Sequence, residues 1–234
     1  MMRRLLPLGL LAACASQSLP LAPGDDGGSR GGFGFGLPAF GSGTAARPVA
    51  ATQAPELPLE PADEVRLARL KETVAAALFD AFAAGGADRT MIASSASVLT
   101  AAPLPLTDGP IAGRYRCRTL KHGGPVPFIT YGWFDCAVKE GKDGLTLSKP
   151  DGSQRMAGRL FRAPGLGADG LSALAYAGTE YHQGEKPVPY PEGRNEVGLF
   201  ERIGENRFRL LLPEPGVEGR LDVIELERIG ERGA

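Results

Sequence analysis

The chain has 234 residues and a formal net charge of -1. A balance so close to neutral lacks the electrostatic footprint that draws proteins to nucleic acid, so no nucleic-acid partner is expected. Three cysteines and two histidines leave little for metal clusters or histidine-based triads, while a 43% hydrophobic fraction is enough for a real core.

The first residues are an address. Arg3 and Arg4 precede a short apolar run, Leu5 to Ala13, which is too short to span a bilayer as a stable helix. The run ends Leu11-Ala12-Ala13-Cys14, which resembles the lipobox of bacterial lipoproteins. The resemblance implies a signal peptide over residues 1–13. It also implies a lipid on Cys14, which becomes the first mature residue and anchors the chain to a membrane. Ala15, rather than aspartate, follows, which points to the outer membrane in enterobacterial sorting. The expected location is therefore the cell envelope, on its periplasmic side.

Residues 14–61 carry the lipidated cysteine and a stretch dominated by Gly, Ser and Pro, with no helical or strand period. Such a segment buries too little apolar surface to offset its chain entropy, and it reads as a tether. Its "GGFGFG" lacks the GxGxxG spacing and the flanking strand and helix of a phosphate-binding loop.

A single domain is predicted over residues 62–230, helical over 62–100 and β over 110–230. Val65, Leu67, Leu70, Val74, Ala77, Leu78 and Ala81 recur at helical spacing. Asp63 stands as N-cap and Gly85-Gly86 as stop. A shorter helix follows, capped by Asp88. From residue 113 onward, alternating apolar and polar runs predict eight strands, at 113–121, 128–139, 144–149, 154–162, 171–178, 196–203, 206–212 and 221–228. "KEGKDG", "KPDGSQ" and "IGENR" are tight turns between consecutive strands. The predicted class is α+β, mainly β. It is a small antiparallel barrel or curved meander sheet, with one or two helices packed on it.

Cys117 sits in the row Arg114, Arg116, Arg118. A cation-flanked cysteine can be a reactive thiolate. Strand alternation separates the two sets, however: Tyr115, Cys117 and Thr119 share one face and the arginines take the other. With Cys14 lipidated and the domain exported, Cys117 and Cys136 are predicted to form a disulfide across the first hairpin. Setting Cys117 opposite Cys136 places Arg118 opposite Asp135 and Leu120 opposite Trp133.

No GxSxG, HExxH, P-loop or CxxC pattern is present, and neither a catalytic set, a cofactor nor a metal site is assigned. His122, in a Gly/Pro turn, and His182 are expected to be solvated. The long loop Glu180 to Asn195 carries Tyr181, His182 and Tyr190. It is either a lid over a ligand at the barrel mouth or a proline-stiffened crossover, with the crossover favoured. Arg155 is a candidate anion holder, or the partner of a carboxylate in its own chain. Arg155, Tyr181, His182 and Tyr190 are thus the candidate ligand-binding residues.

"YRCRTLK", "DGSQRMAGRLF", "VGLFERIGENRFRLLLPEPGVEGRLDVIEL" and "RLARLKETVAAALFDAFAAG" together resemble the bacterial family catalogued as domain of unknown function 4893, over about residues 62–228. The chain departs from that pattern at Phe208, where tryptophan is expected, and at Gly219, where serine is expected. The resemblance implies an exported bacterial protein and supplies no reaction. A non-enzymatic binding or envelope-associated module, with a small molecule or an envelope protein as partner, is favoured. A hydrolase acting on an envelope component, or a purely structural assembly partner, is the alternative. An apolar, ligand-sized cavity inside the barrel would mark a carrier.

Overall fold

The computed structural model describes residues 59–85, 88–125, 127–162, 172–216 and 219–230. The predicted signal, Cys14 and the tether up to residue 58 lie outside them.

Among the described residues, three helices come first: α1 (Pro61–Ala68), α2 (Leu70–Ala83) and α3 (Arg89–Leu99). The single long helix of the sequence reading is broken at Arg69. The break lets two apolar stripes face different strands. Leu67 of α1 packs with Ala175, Ala177 and Val197. Leu70 and Ala77 of α2 pack with Leu120, Leu211, Leu221 and Val223. Val65, placed in one stripe by periodicity, is instead exposed. Asp63 is not the N-cap; that position is Glu60, with Pro61 opening the helix. Asp63 is buried and pairs with Arg66 at 2.8 Å. The cap at Asp88 is present: its carboxylate accepts from the Met91 backbone N–H at 2.8 Å.

A 3-10 turn (Leu106–Asp108) leads into nine strands: β1 (Gly113–His122), β2 (Phe128–Thr130), β3 (Phe134–Gly141), β4 (Gly144–Lys149), β5 (Gln154–Phe161), β6 (Ala173–His182), β7 (Arg194–Arg202), β8 (Arg207–Pro213) and β9 (Leu221–Arg228). They run as an antiparallel meander, and β1 pairs with β9 to close a barrel. β2 and β3 are the predicted second strand in two pieces. Leu120 pairs with Thr130, whereas Cys117 pairs with Phe134. Residues 131–133 therefore oppose only residues 118–119. This one-residue bulge bends the strand and changes its register.

An eight-strand circumference leaves an interior just wide enough for side chains to fill. Tyr115, Tyr176, Phe200 and Phe208 fill it. Phe200 and Phe208 stack at 5.3 Å, and Tyr115 meets Phe208 edge-on at 5.6 Å. Phe208, the departure from the family pattern, is thus a packing residue. Gly158 and Gly178 make room for the Tyr176 side chain. A Cβ at Gly158 would lie 2.5 Å from the Tyr176 ring, and one at Gly178 would lie 2.2 Å from its hydroxyl oxygen. One end of the barrel is plugged by Leu106 and Ile111. Arg228 ties this plug down, donating to the carbonyls of Pro110 and Ala112 and to the Tyr115 hydroxyl.

The disulfide Cys117–Cys136 is present, with Cα atoms 5.8 Å apart. The two cysteines are diagonal rather than directly opposed: Cys117 pairs with Phe134, and Tyr115 with Cys136. The predicted register is therefore off by two residues. Side chains keep their faces under a two-residue shift, so both sulfurs still point inward.

The arginines point outward, as alternation requires, but their partners lie on the other neighbour. Arg116, not Arg118, faces Asp135. Arg118 pairs with Glu225 at 2.7 Å and Arg116 with Glu227, both on β9. Trp133 lies under both guanidinium groups, at 4.5 and 4.6 Å. The row is a ladder of ion pairs and cation–π contacts across the closing seam.

The disulfide encloses a loop with a sequence separation of 19. Replacing both cysteines by alanine should remove about 3 kcal/mol of stability by loop entropy, before the cost of the lost sulfur packing. Urea unfolding followed by near-UV circular dichroism measures this. An unchanged midpoint would contradict the assignment.

Candidate functional site

The candidate residues do not converge on one site. They are spread between the mouth of the barrel and its outer surface. The first is the open end of the barrel, opposite the plug. There the inward positions change from apolar to charged. Lys121, Lys149, Glu180, Glu196 and Asp222 all occupy inward positions at this end. Lys121 is buried and pairs with Asp222 at 2.9 Å. Lys149 donates to the carbonyls of Asp151 and Gln154 and lies 4.6 Å from the Phe134 ring centre. Its burial lowers its pKa.

Glu196 is almost wholly buried, and burial raises its carboxyl to about 7. One of its oxygens accepts from the Gly216 backbone N–H at 2.9 Å. The other lies 3.7 Å from the Arg66 guanidinium. Arg66 has a second task there. The β7–β8 ladder stops at Leu199 and Leu211. Arg66 donates to the Asn195 and Pro213 carbonyls beyond that point, bridging the strands where they part. Burial also raises Glu180, against the attraction of Lys121. The Tyr176 hydroxyl, buried beside Gly178, forms no hydrogen bond among the described residues.

The cavity between these groups, bounded by Thr119, Gln154, Arg155 and Pro215, measures about 30 Å³. That holds one or two water molecules, far short of the several hundred Å³ of an organic ligand site. Arg155 lies at its rim, with Nε donating to the Gly152 carbonyl at 3.0 Å. That bond holds the β4–β5 turn. Among the described residues no group of three or more His, Cys, Asp or Glu side chains is placed to hold a metal ion.

The second place is outside the barrel. The loop after β6 does not cover the mouth. It turns back onto the outward face of the sheet and joins the hydrogen-bonded neighbours β6 and β7, so it is a long hairpin connection, neither a lid over the mouth nor a crossover. Tyr190 explains why: it packs on the cluster formed by Leu67, Ala175, Ala177 and Val197, and its hydroxyl accepts from the Glu60 backbone N–H at 2.7 Å. The loop thereby ties the start of α1 to the sheet. Beneath it lies a groove of about 410 Å³, lined by Lys139, Thr146, Ser148, Ala157, Arg159, Thr179 and the loop residues Pro187, Pro189 and Tyr190. This volume is in the range of small-molecule sites. Tyr181 and the loop's other side, Glu185 to Val188 and Glu192 to Arg194, border a further surface cavity of about 490 Å³. Arg155, Tyr181 and Tyr190 thus fall at three separate places. His182 is half-buried at the end of β6, its backbone N–H donating to Glu185 at 2.8 Å.

His122 is not solvated. It ends β1 on the outward face beneath α3, fully buried, with Nε2 2.7 Å from the Ser95 hydroxyl. Burial pushes its pKa down to about 4, so the ring is neutral. Arg209, unremarked in the sequence, bonds Glu201 at 2.6 Å and donates to the carbonyls of Val98, Leu99 and Ala101 at the end of α3. It caps that helix where the backbone has free acceptors.

The family model described as domain of unknown function (DUF4893) matches residues 58–226, and the chain belongs to that family. No curated protein matches the chain. Membership brings no catalytic or binding residue, so function is argued from geometry alone.

Glu196 keeps its proton to about pH 7 in the folded chain, whereas an unfolded glutamate loses it near 4.5. Between these values the folded state binds more protons, so this group's contribution to stability falls as pH rises. Glu196→Gln, which keeps an acceptor for Gly216, should raise the melting temperature on the order of 5 °C at pH 8 and leave it unchanged near pH 4. Calorimetry at the two pH values reads the difference. Equal shifts at both would show that the carboxyl is not the cause.

Proposed function

We propose that this chain is a cell-envelope lipoprotein, held to the membrane by a lipid on Cys14, whose barrel domain is a non-enzymatic binding module. Its ligand or protein partner docks in the outer groove beneath Pro187–Tyr190.

The observation that carries this reading is the contrast between the two cavities. The barrel interior is filled by aromatic side chains, and its mouth leaves about 30 Å³. A carrier that encloses a lipid inside the barrel is therefore disfavoured. The same smallness weakens the hydrolase alternative. Glu180 and Glu196 are the titratable pair of the mouth, but a scissile bond has no room to lie between them. The groove, at about 410 Å³, is large enough. It also lies over the outward faces of β3 to β6. α1 packs on β7, and α2 on β1, β8 and β9. Among the described residues, the main helix contacts fall on β1 and β7 to β9, and on β5 Phe161 joins the cluster around Leu67 of α1. The arginine–cysteine segment is the closing seam and offers no reactive thiol.

Two variants test the proposal. Cys14→Ala should move the full chain from the detergent phase to the aqueous phase of a Triton X-114 partition, and abolish incorporation of labelled fatty acid. Retention of the label would refute the anchor. Ser148→Trp fills the groove from an outward, half-buried position. In a thermal-shift screen of envelope-derived small molecules and partners, the ligands that stabilise the native chain should lose their effect in this variant. Ligands that act equally on both proteins would place binding elsewhere.

A further inference from the structure

We propose that the groove takes a sugar bearing a carboxylate; this rests on the reading of the groove as the binding site.

The lining is cationic and hydroxylated. Lys139 and Arg159 border the groove, and among the described residues no carboxylate does. Strand register orders these groups in two parallel rows. In the first, Lys139 pairs with Thr146, and Thr146 with Arg159. A hydroxyl is thus centred between two cations on three adjacent strands, with the outer two about 10 Å apart by the ordinary strand spacing. In the second row, two residues along, Ser148 pairs with Ala157 and Ala157 with Thr179. Here hydroxyls flank a methyl group.

Each row fits one part of an acidic sugar. A carboxylate over Thr146 accepts from Lys139 and Arg159, a charge-assisted arrangement with no competing acid in the lining. Arg159 donates Nη2 to the Asp143 carbonyl at 2.8 Å, which fixes its position while its remaining N–H groups stay available. The second row lies about 7 Å along the strands, roughly one pyranose ring away. There the ring's hydroxyls meet Ser148 and Thr179. The small floor residues Ala157 and Ala177 let the ring come close to the sheet. Pro187, Pro189 and Tyr190 form an apolar wall, suited to the C–H face of a sugar ring. Thr146 and Thr179 already donate to the Lys139 and Glu180 carbonyls and offer a ligand their acceptor oxygens; an acyl chain would leave these, the Ser148 hydroxyl and both cations unused. A neutral sugar would leave the cations desolvated and unpaired, which is unfavourable.

Isothermal titration of the full chain in detergent, with N-acetylmuramic acid and glucuronic acid as probes, tests the proposal. N-acetylglucosamine and glucose serve as neutral controls. The acidic sugars should bind with Kd on the order of 1 mM or below and at least about tenfold tighter than the neutral ones. Lys139→Gln should weaken the acidic sugars about fivefold or more and spare the neutral ones, while Ser148→Trp abolishes binding of all four. Equal affinity for acidic and neutral sugars overturns the proposal, as does binding of acidic sugars that survives Ser148→Trp. If no acidic sugar binds but another ligand class binds and is lost in Ser148→Trp, the sugar assignment falls and the groove reading stands. If nothing depends on Ser148, both fall.

Discussion

The β1–β9 pairing is the constraint on which the rest of the molecule depends. Eight residue pairs, from Tyr115–Arg228 to His122–Leu221, join the first long strand to the last. Without that seam the meander is an open sheet with two bare edges. With it, every strand position is assigned to the inside or the outside, and period-two alternation becomes a sorting rule. Apolar and aromatic residues meet inside. The outward faces of β1 and β6 to β9 are left for the helices. The seam is also where the chain has concentrated its charge pairing: Arg116 and Glu227, Arg118 and Glu225, and Lys121 and Asp222 are all register partners on the two closing strands. Glu225 is also paired with Arg207 from β8. A buried carboxylate that holds two guanidinium groups favours one register over its neighbours, because a slip would leave it unpaired.

What the sequence made legible follows from this logic. Alternation and turn residues located the strands to within a few positions, and alternation alone placed Cys117 inside and its arginine neighbours outside. Partners across long sequence distances were not legible. Arg118 has an acidic residue available nearby in Asp135, but its partner Glu225 is 107 residues away, a pairing that only closure creates. The bulge at residues 131–133 was hidden because Tyr131-Gly132-Trp133 preserves the strand-like composition while adding one residue. The break at Arg69 was hidden because both halves of the helix keep apolar periodicity; only the two targets on the barrel differ. For the candidate site, residue types indicated the long loop but not its direction. Tyr190 decides that direction by joining a cluster contributed by α1, β5, β6 and β7. His122 was misread because a Gly/Pro turn follows it, whereas Ser95, which buries it, lies in another element.

Two buried titratable groups act against each other across the acidic range. The folded chain holds His122 neutral down to about pH 4, while an unfolded histidine takes up a proton near 6.5. Its contribution is present above 6.5 and is lost as pH falls toward 4. Glu196 contributes the reverse, its stability loss growing from 4.5 to about 7. The two windows overlap and have opposite slopes, so each offsets part of the other's pH dependence. A flat stability profile in this range is therefore no sign that the buried groups are unperturbed.

Charge collects at the mouth of the barrel around a cavity of only about 30 Å³. In a space that admits a water or two, Lys121 pairs with Asp222, Lys149 donates to the Asp151 and Gln154 carbonyls, and Glu196 accepts from the Gly216 N–H and lies near Arg66. Charges already compensated at close range exert little field on an incoming ligand. On the outward face of β3 to β5 the situation is reversed. Lys139 and Arg159 border a cavity large enough for a ligand, and among the described residues no acidic side chain lines it. Binding specificity requires such an uncompensated pattern, because only unmet charge and hydrogen-bonding capacity distinguish one ligand from another. The filled barrel thus acts as a rigid support. Strand pairing fixes the spacing between Lys139, Thr146 and Arg159, and that spacing is what a ligand would read.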